Sequence, residues 1–212
     1  MRQTITFKEI LQEEEIKTYI RRADLSLERM GFTEHSFAHV MRVSKCAGDM
    51  LQQLGYDEHD VELARIAGYM HDIGNVINRI DHAQSGAIMA FRILDKMGMQ
   101  YEDIAKIIAA IGNHDESTAF PVSDVAAALI IADKSDVRRS RVRNADKSSF
   151  DIHDRVNYAV TENHVSLSDD HTSLILSLTL DTEISPVIEY FEIFLSRMKL
   201  CQKAASYLNL KF

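Results

Sequence analysis

Helical patterning in this chain breaks off repeatedly at a histidine or an aspartate, and the places where it does so constrain the fold more than any other feature. Ile16, Tyr19, Ile20, Ala23 and Leu27 form one apolar stripe that ends near Gly31, after a capping box at Thr6 and Glu9. A second helix is expected from about Ser36 to Leu54, stopping at Gly55, with His39 at the edge of its buried face. A third opens at Asp57 and carries His71-Asp72 at its C-terminal end, ahead of Gly74. Asp81 caps a fourth whose first turn holds His82 and whose inward face (Ala83, Gly86, Ala87, Ala90) is small enough for close backbone approach. Ile104, Ile107, Ile108 and Ile111 define a fifth, with His114 just past its last turn. Ser123 caps an Ala-rich helix from Val125 to about Lys134, apolar all round and therefore buried on all sides, with Asp133 near its end.

The pattern changes after Asn144. Asp151 to Ala159 suits a short helix, and Asn163–Ser168 and Leu174–Leu180 alternate as two strands around a hairpin loop, Ser168 to His171. Pro186 suits the first position of a final helix that is apolar on more than one face. This C-terminal part is poor in polar groups of the ligand type, so it is expected to cover the bundle or a second subunit and to supply no reacting group.

A chain of 212 residues can bury a full core, and 46% hydrophobic residues is ordinary for a globular protein. The net charge of -8 argues against stable nucleic-acid binding and against anionic membranes, both of which need a basic face. Cys46 and Cys201 lie within helical apolar patterns and lack thiolate metal spacing, as expected of reduced core thiols. The N-terminus has no apolar leader core and no run approaches spanning length, so a cytoplasmic location is expected.

Imidazole nitrogen and carboxylate oxygen are the ligands a divalent metal prefers where thiolates are absent. Taken singly, a histidine near a helix end is more often a cap or a packed core residue. Taken together, His39, His71, Asp72, His82, His114 and Asp133 bring six such groups to five helix termini, which packing alone does not explain. Asp133 would be a charge at the edge of a core, costly unless paired or metal-bound. Asp72 is singled out because a carboxylate beside a ligating imidazole can offer one oxygen to each of two ions. His35, one turn before His39, competes for the first position; otherwise it is a neighbour of the site or exposed. His59, His153, His164 and His171 lie in polar or strand contexts and are assigned no role.

The blocks EHSFAHVMRVSKCA, GYMHDIGN, DHAQSGAIMA, AIGNHDES and ALIIADKSD, in this order over Glu34 to Arg143, resemble the HD superfamily of metal-dependent phosphohydrolases in its six-ligand, dinuclear form. GNHDES and ADKSD look most like those of ribonuclease Y and diadenosine tetraphosphate hydrolase relatives. Asn75 stands where the cyclic-di-nucleotide phosphodiesterase branch usually has Lys. The resemblance implies a mainly α fold, an HD-type helical bundle over residues 1–148, with a β-hairpin and helix over 149–212 packed on it. It implies His39, His71, Asp72 and Asp133 on one metal and Asp72, His82 and His114 on the other, the ions being two of Fe, Mn, Mg, Co, Ni or Zn. The reaction implied is hydrolysis of a phosphoester or phosphoanhydride of a nucleotide or dinucleotide by metal-bound hydroxide, with Asp72 and Lys134 catalytic. A di-iron oxygenase and a non-catalytic nucleotide-sensing module use the same fold and remain open, as does a homodimer.

A basic segment follows the last aspartate: Lys134, Arg138, Arg139, Arg141, Arg143 and Lys147. On so acidic a chain it suits capture of substrate phosphate, with Lys134, Arg138 and Arg141 as candidates. It equally suits a solvated face paired with Asp136 and Asp146.

Overall fold

The computed structural model describes residues 2–212. The capping box closes as expected: the Thr6 hydroxyl accepts from the Glu9 amide at 3.4 Å, and the Glu9 carboxylate accepts from the Thr6 amide at 2.8 Å. It opens α1 (Phe7–Ile10), which is followed by α2 (Glu14–Arg29). Ser36 and Asp57 cap α3 (Phe37–Gln53) and α4 (Glu58–Met70) through their side chains. A single 3-10 turn, Ile73–Val76, leads to α5 (His82–Lys96), then α6 (Tyr101–Gly112) and α7 (Asp124–Lys134), the last capped by Ser123. After two short 3-10 turns come α8 (Ile152–Ala159), β1 (Val160–Leu167), β2 (Leu174–Leu180) and α9 (Val187–Tyr207). The fold is thus mainly helical, with one two-stranded antiparallel hairpin and a terminal helix. Among the described residues no helix is long and apolar enough to cross a membrane.

α7 is the hub. It touches α3, α4, α6 and α9, and every residue from Val125 to Ala132 is buried. A helix surrounded on all sides has no face to keep polar, which is why its sequence is uniformly apolar. α3 packs on α4, and α5 on α6, around this hub. Two glycines set the closest approaches. A Cβ on Gly68 would fall 2.7 Å from the Ser44 Cα, so α4 lies against α3 backbone to backbone. A Cβ on Gly74 would fall 2.0 Å from the His82 carbonyl oxygen, so the 3-10 turn presses directly on the start of α5. The small face foreseen at Gly86 faces that contact, 3.3 Å from the Gly74 nitrogen when given a Cβ.

The main core runs through α2 to α7 and takes in Leu174, Ala204, Ala205, Leu208 and Leu210 from the C-terminal part. A second, smaller core joins Val137 to Val156, Val160, Tyr190 and Phe194. The two cores therefore interleave across residue 148.

Three local expectations change. Pro186 is the N-cap of α9 in extended backbone, one position before the first turn, because Ser185 and Glu189 already close that end by a 2.8 Å hydrogen bond. Asp81 precedes α5 without a side-chain cap; it adopts a left-handed backbone (φ 57°) that turns the chain into the helix. β1 follows α8 directly at Val160, three residues earlier than the alternation suggests, with an irregularity between Val160 and Glu162.

Candidate metal centre

All six predicted side chains meet in one place, at the ends of α4, α6 and α7 and the starts of α5 and, one turn in, α3. His39, expected at an edge, is fully buried, as are His71 and His114. Three of the four imidazoles are oriented by the same device. Nδ1 of His71 donates to the Gly68 carbonyl (2.8 Å), that of His82 to Arg79 (3.0 Å) and that of His114 to Ile111 (2.6 Å). Each of these acceptors lies three residues back, so a histidine at a helix terminus folds its ring onto the preceding turn. His39 uses a side chain instead: its Nδ1 lies 2.7 Å from Asp136 Oδ2. Carbonyl and ionised carboxylate oxygens only accept, so the partnered nitrogen carries a proton and Nε2 is the nitrogen that faces the centre.

Asp72 stands between two groups of these nitrogens. Its Oδ2 is 3.6 Å from His39 Nε2 and 3.3 Å from His71 Nε2. Its Oδ1 is 3.5 Å from His82 Nε2 and 4.0 Å from His114 Nε2. Asp133 Oδ1 faces the first group, 3.3 Å from His39 and 3.6 Å from His71, and its Oδ2 accepts from Lys134 Nζ at 2.7 Å. His82 Nε2 and His114 Nε2 are 3.2 Å apart.

This arrangement fits divalent ions. Metal–nitrogen distances of about 2.0–2.1 Å place neighbouring ligand atoms about 3 Å or slightly more apart. His39 Nε2, His71 Nε2 and Asp72 Oδ2 are buried without any hydrogen-bond partner. Buried polar atoms are almost always satisfied, so three orphans converging on one point call for a cation between them. The proton affinities of these groups answer to the same crowding. Burial lowers the His71 pKa, but Asp72 and Asp133 outweigh it and hold the imidazolium up to about 10. Burial, aided by the charges of His71 and Lys134, pushes His114 down to about 3. Burial opposes ionisation of Asp72 and Asp133, yet their cationic neighbours keep both well below the usual carboxylate range.

Several partners of this centre were not foreseen. Asp136 Oδ1 accepts from Arg42 Nε (3.2 Å) and Arg138 Nε (3.1 Å) while Oδ2 holds His39, and these contacts keep Asp136 ionised against its burial. Its position one turn after Asp133 was the available signal. Asn75 Nδ2 donates to Asp72 Oδ1 at 2.8 Å, fixing the carboxylate between the two groups of imidazoles. His35 is held by Thr33, and burial pushes its pKa well down; it lines the cleft but belongs to none of the close ligand groups.

The centre opens into a cleft of about 320 Å³ lined by Met30, Phe32, His35, Arg79, Lys134 and Arg141 on the bundle side. Its other wall is His153 and Asn157 of α8 with Phe194 and Arg197 of α9. The C-terminal part, expected to cover the bundle or a second subunit, also reaches the cleft, because the second core carries α8 and α9 onto it. The basic segment divides. Lys134 and Arg141 reach the cleft, whereas Arg138 turns away to pair with Glu34 (2.7 Å) and Asp136. Arg141 is buried and donates to the carbonyls of Glu34 (2.9 Å) and Asp136 (2.8 Å).

Residues 36–151 match the HD domain model, and the chain belongs to the HD domain family. It is 24% identical to the uncharacterized protein MJ1020 of Methanocaldococcus jannaschii over 69% of this chain and 65% of that one. It is 30% identical to ribonuclease Y of Bacillus thuringiensis over 58% of this chain and 22% of that one. The chain thus spans less than two thirds of either relative. A predicted HD superfamily hydrolase from an uncultured Thermotogales bacterium, solved by crystallography, aligns with a TM-score of 0.47 and 20% identity over 96% of this chain and 93% of that one. HD domains bind divalent metals, and the His/Asp clusters of this chain are compatible with that.

Proposed function

We propose that this chain is a metal-dependent phosphohydrolase that cleaves a phosphoester or phosphoanhydride bond of a small, nucleotide-sized substrate. The observation that carries the reading is the convergence of four imidazole Nε2 atoms around the two oxygens of Asp72, with His39 Nε2, His71 Nε2 and Asp72 Oδ2 buried and unpartnered. His39, His71, Asp72 and Asp133 would hold one ion, and Asp72, His82 and His114 a second. When bound, such ions lower the pKa of an attacking water and stabilise charge on the phosphoryl oxygens.

The protein's own groups do the rest. Gly68, Arg79, Ile111 and Asp136 set the tautomers of the four imidazoles, so no ring must reorganise to ligate. Asn75 holds Asp72 in its bridging pose. Lys134, on the cleft floor, places positive charge where a phosphoryl group would gain negative charge. The cleft volume suits one nucleotide and not a polymer, in keeping with the acidic surface charge. Arg138 and Arg141 act through Asp136 and Glu34, as braces behind His39.

Elemental analysis of the purified protein, with a phosphatase and nucleotide panel, tests the reading. Divalent metal and metal-dependent phosphate release are expected. Dioxygen consumption by iron-loaded protein without phosphate release would replace it with an oxygenase, and nucleotide binding without turnover under any metal would replace it with a sensor.

A further inference from the structure

Four cationic side chains line the cleft, and three are already committed. Lys134 is paired with Asp133 at 2.7 Å, Arg197 with Glu116, and Arg141 is spent on two backbone carbonyls and Asp136. Arg79 differs. It is half-buried, yet among the described residues no carboxylate lies within ion-pair distance of it. Its NH1 sits 3.2 Å from His82 Nε2 and 3.4 Å from Asn75 Oδ1, and its guanidinium lies 5.6 Å from the Phe32 ring centre.

The His82 contact is one that cannot last in a loaded site. The His82 Nδ1–H is donated to the carbonyl of Arg79 itself, so Nε2 has one lone pair. That lone pair now meets the guanidinium. A ligated imidazole has none left to accept with, and Arg79 would then keep only the long contact to Asn75. A partly buried guanidinium without a counter-charge is unfavourable, and the missing partner must be an anion that enters the cleft with the ions. Beside it, Phe32 and Met30 are exposed by 40% and 51%, an apolar rim on an otherwise charged opening.

We propose that Arg79 binds the substrate phosphate and that Phe32 supports the substrate's flat organic part, so that the preferred class is a nucleoside phosphate and not a bare or aliphatic one. The proposal rests on the phosphohydrolase reading and names its substrate class. Guanidinium suits the task because its planar fork matches two phosphoryl oxygens, where an ammonium offers a point charge.

The test uses the full chain loaded with Mn, titrated by calorimetry with inorganic phosphate and with AMP, with metal content measured on every sample. Arg79→Ala should weaken inorganic phosphate binding about 10–100-fold, the range for a charged hydrogen bond, at unchanged metal content. Arg79→Lys should recover part of that loss. Phe32→Ala should leave inorganic phosphate unchanged and weaken AMP several-fold. Equal phosphate affinity in wild type and Arg79→Ala overturns the proposal alone. So does a rise in metal content on Arg79→Ala with phosphate affinity unchanged, which would make Arg79 a guard of the His82–His114 half. A metal-loaded wild type that binds neither probe overturns the phosphohydrolase reading along with it.

Discussion

The two halves of the candidate site are held in opposite ways. The floor, contributed by α3 to α7, is buried, and each of its four imidazoles is fixed from behind by a hydrogen bond at Nδ1. The outer wall, contributed by α8 and α9, is built of exchangeable contacts: Arg197 on Glu116, Arg155 on Glu189, and exposed Phe191, Leu195 and Ile188 on α9. Packed interiors are stiff and ion pairs on a surface are worth little. We infer that metal holding belongs to the buried floor, and that substrate contacts belong to the cleft lining around it, Arg79 and Phe32 included. Changes among the proposed ligands and the groups behind them should alter metal content, whereas changes at Arg79, Phe32 or the wall should leave it intact.

Asp72→Ala strikes the floor hardest. The two oxygens of Asp72 lie within 4.0 Å of all four imidazoles, so metal should fall at both positions and turnover should vanish. Elemental analysis showing full metal content in this variant would refute the bridging role.

His82→Ala should divide the floor. His39, His71, Asp72 and Asp133 remain, so about one ion per chain should persist while most activity is lost. Two ions per chain and normal rates would remove His82 from the ligand set and leave a mononuclear centre.

Asp136→Asn probes the support behind the floor without touching a proposed ligand. The amide keeps the shape but loses the charge that orients His39 and pairs with Arg42 and Arg138. Metal affinity should fall about 10–100-fold, as for other partners behind a ligating histidine. A competition titration with a chelator reads this directly, and an unchanged affinity would show that packing alone orients His39.

The floor was far more legible in the sequence than the wall, for physical reasons. Each ligand ends or begins a helix, and helix periodicity, caps and glycine stops locate those ends along the chain. His82 was placed by the expected helix start at Asp81 and by the resemblance of its block, and the small face of α5 is explained by the Gly74 contact. Arg79 escaped because nothing in one sequence says which way an arginine turns, and Asp136 because its one signal, a place one turn after Asp133, suited a pairing with the basic segment equally well. The wall escaped because His153, Asn157, Phe194 and Arg197 come from separate elements brought together only by the second core. Arg138 misled for the converse reason: a run of cations beside a metal motif invites a phosphate role, while Glu34, about a hundred residues earlier in the chain, claims this one.

The smallest effect belongs farthest from the floor, at the tip of the hairpin. Asp170 Oδ1 accepts from the Ser168 hydroxyl (2.6 Å), the Thr172 hydroxyl (2.9 Å) and the Thr172 amide (3.1 Å), and His171 turns the chain with a left-handed φ of 53°. These hydrogen bonds, from Ser168 first and then Thr172, lower the Asp170 pKa to about 2. A folded-state pKa below the unfolded value of about 3.9 means stability that is present above that value and lost as pH falls toward the folded one. Asp170→Asn should therefore melt slightly below wild type at neutral pH, and the gap should narrow as pH falls from about 4 toward 2. The group is fully exposed, so the gap should be small throughout. Metal content and phosphate binding should not change at all, because the hairpin tip shares no contact with the cleft. Metal loss in Asp170→Asn would show that the hairpin and the floor are mechanically one unit, and the division drawn between floor and wall would fail.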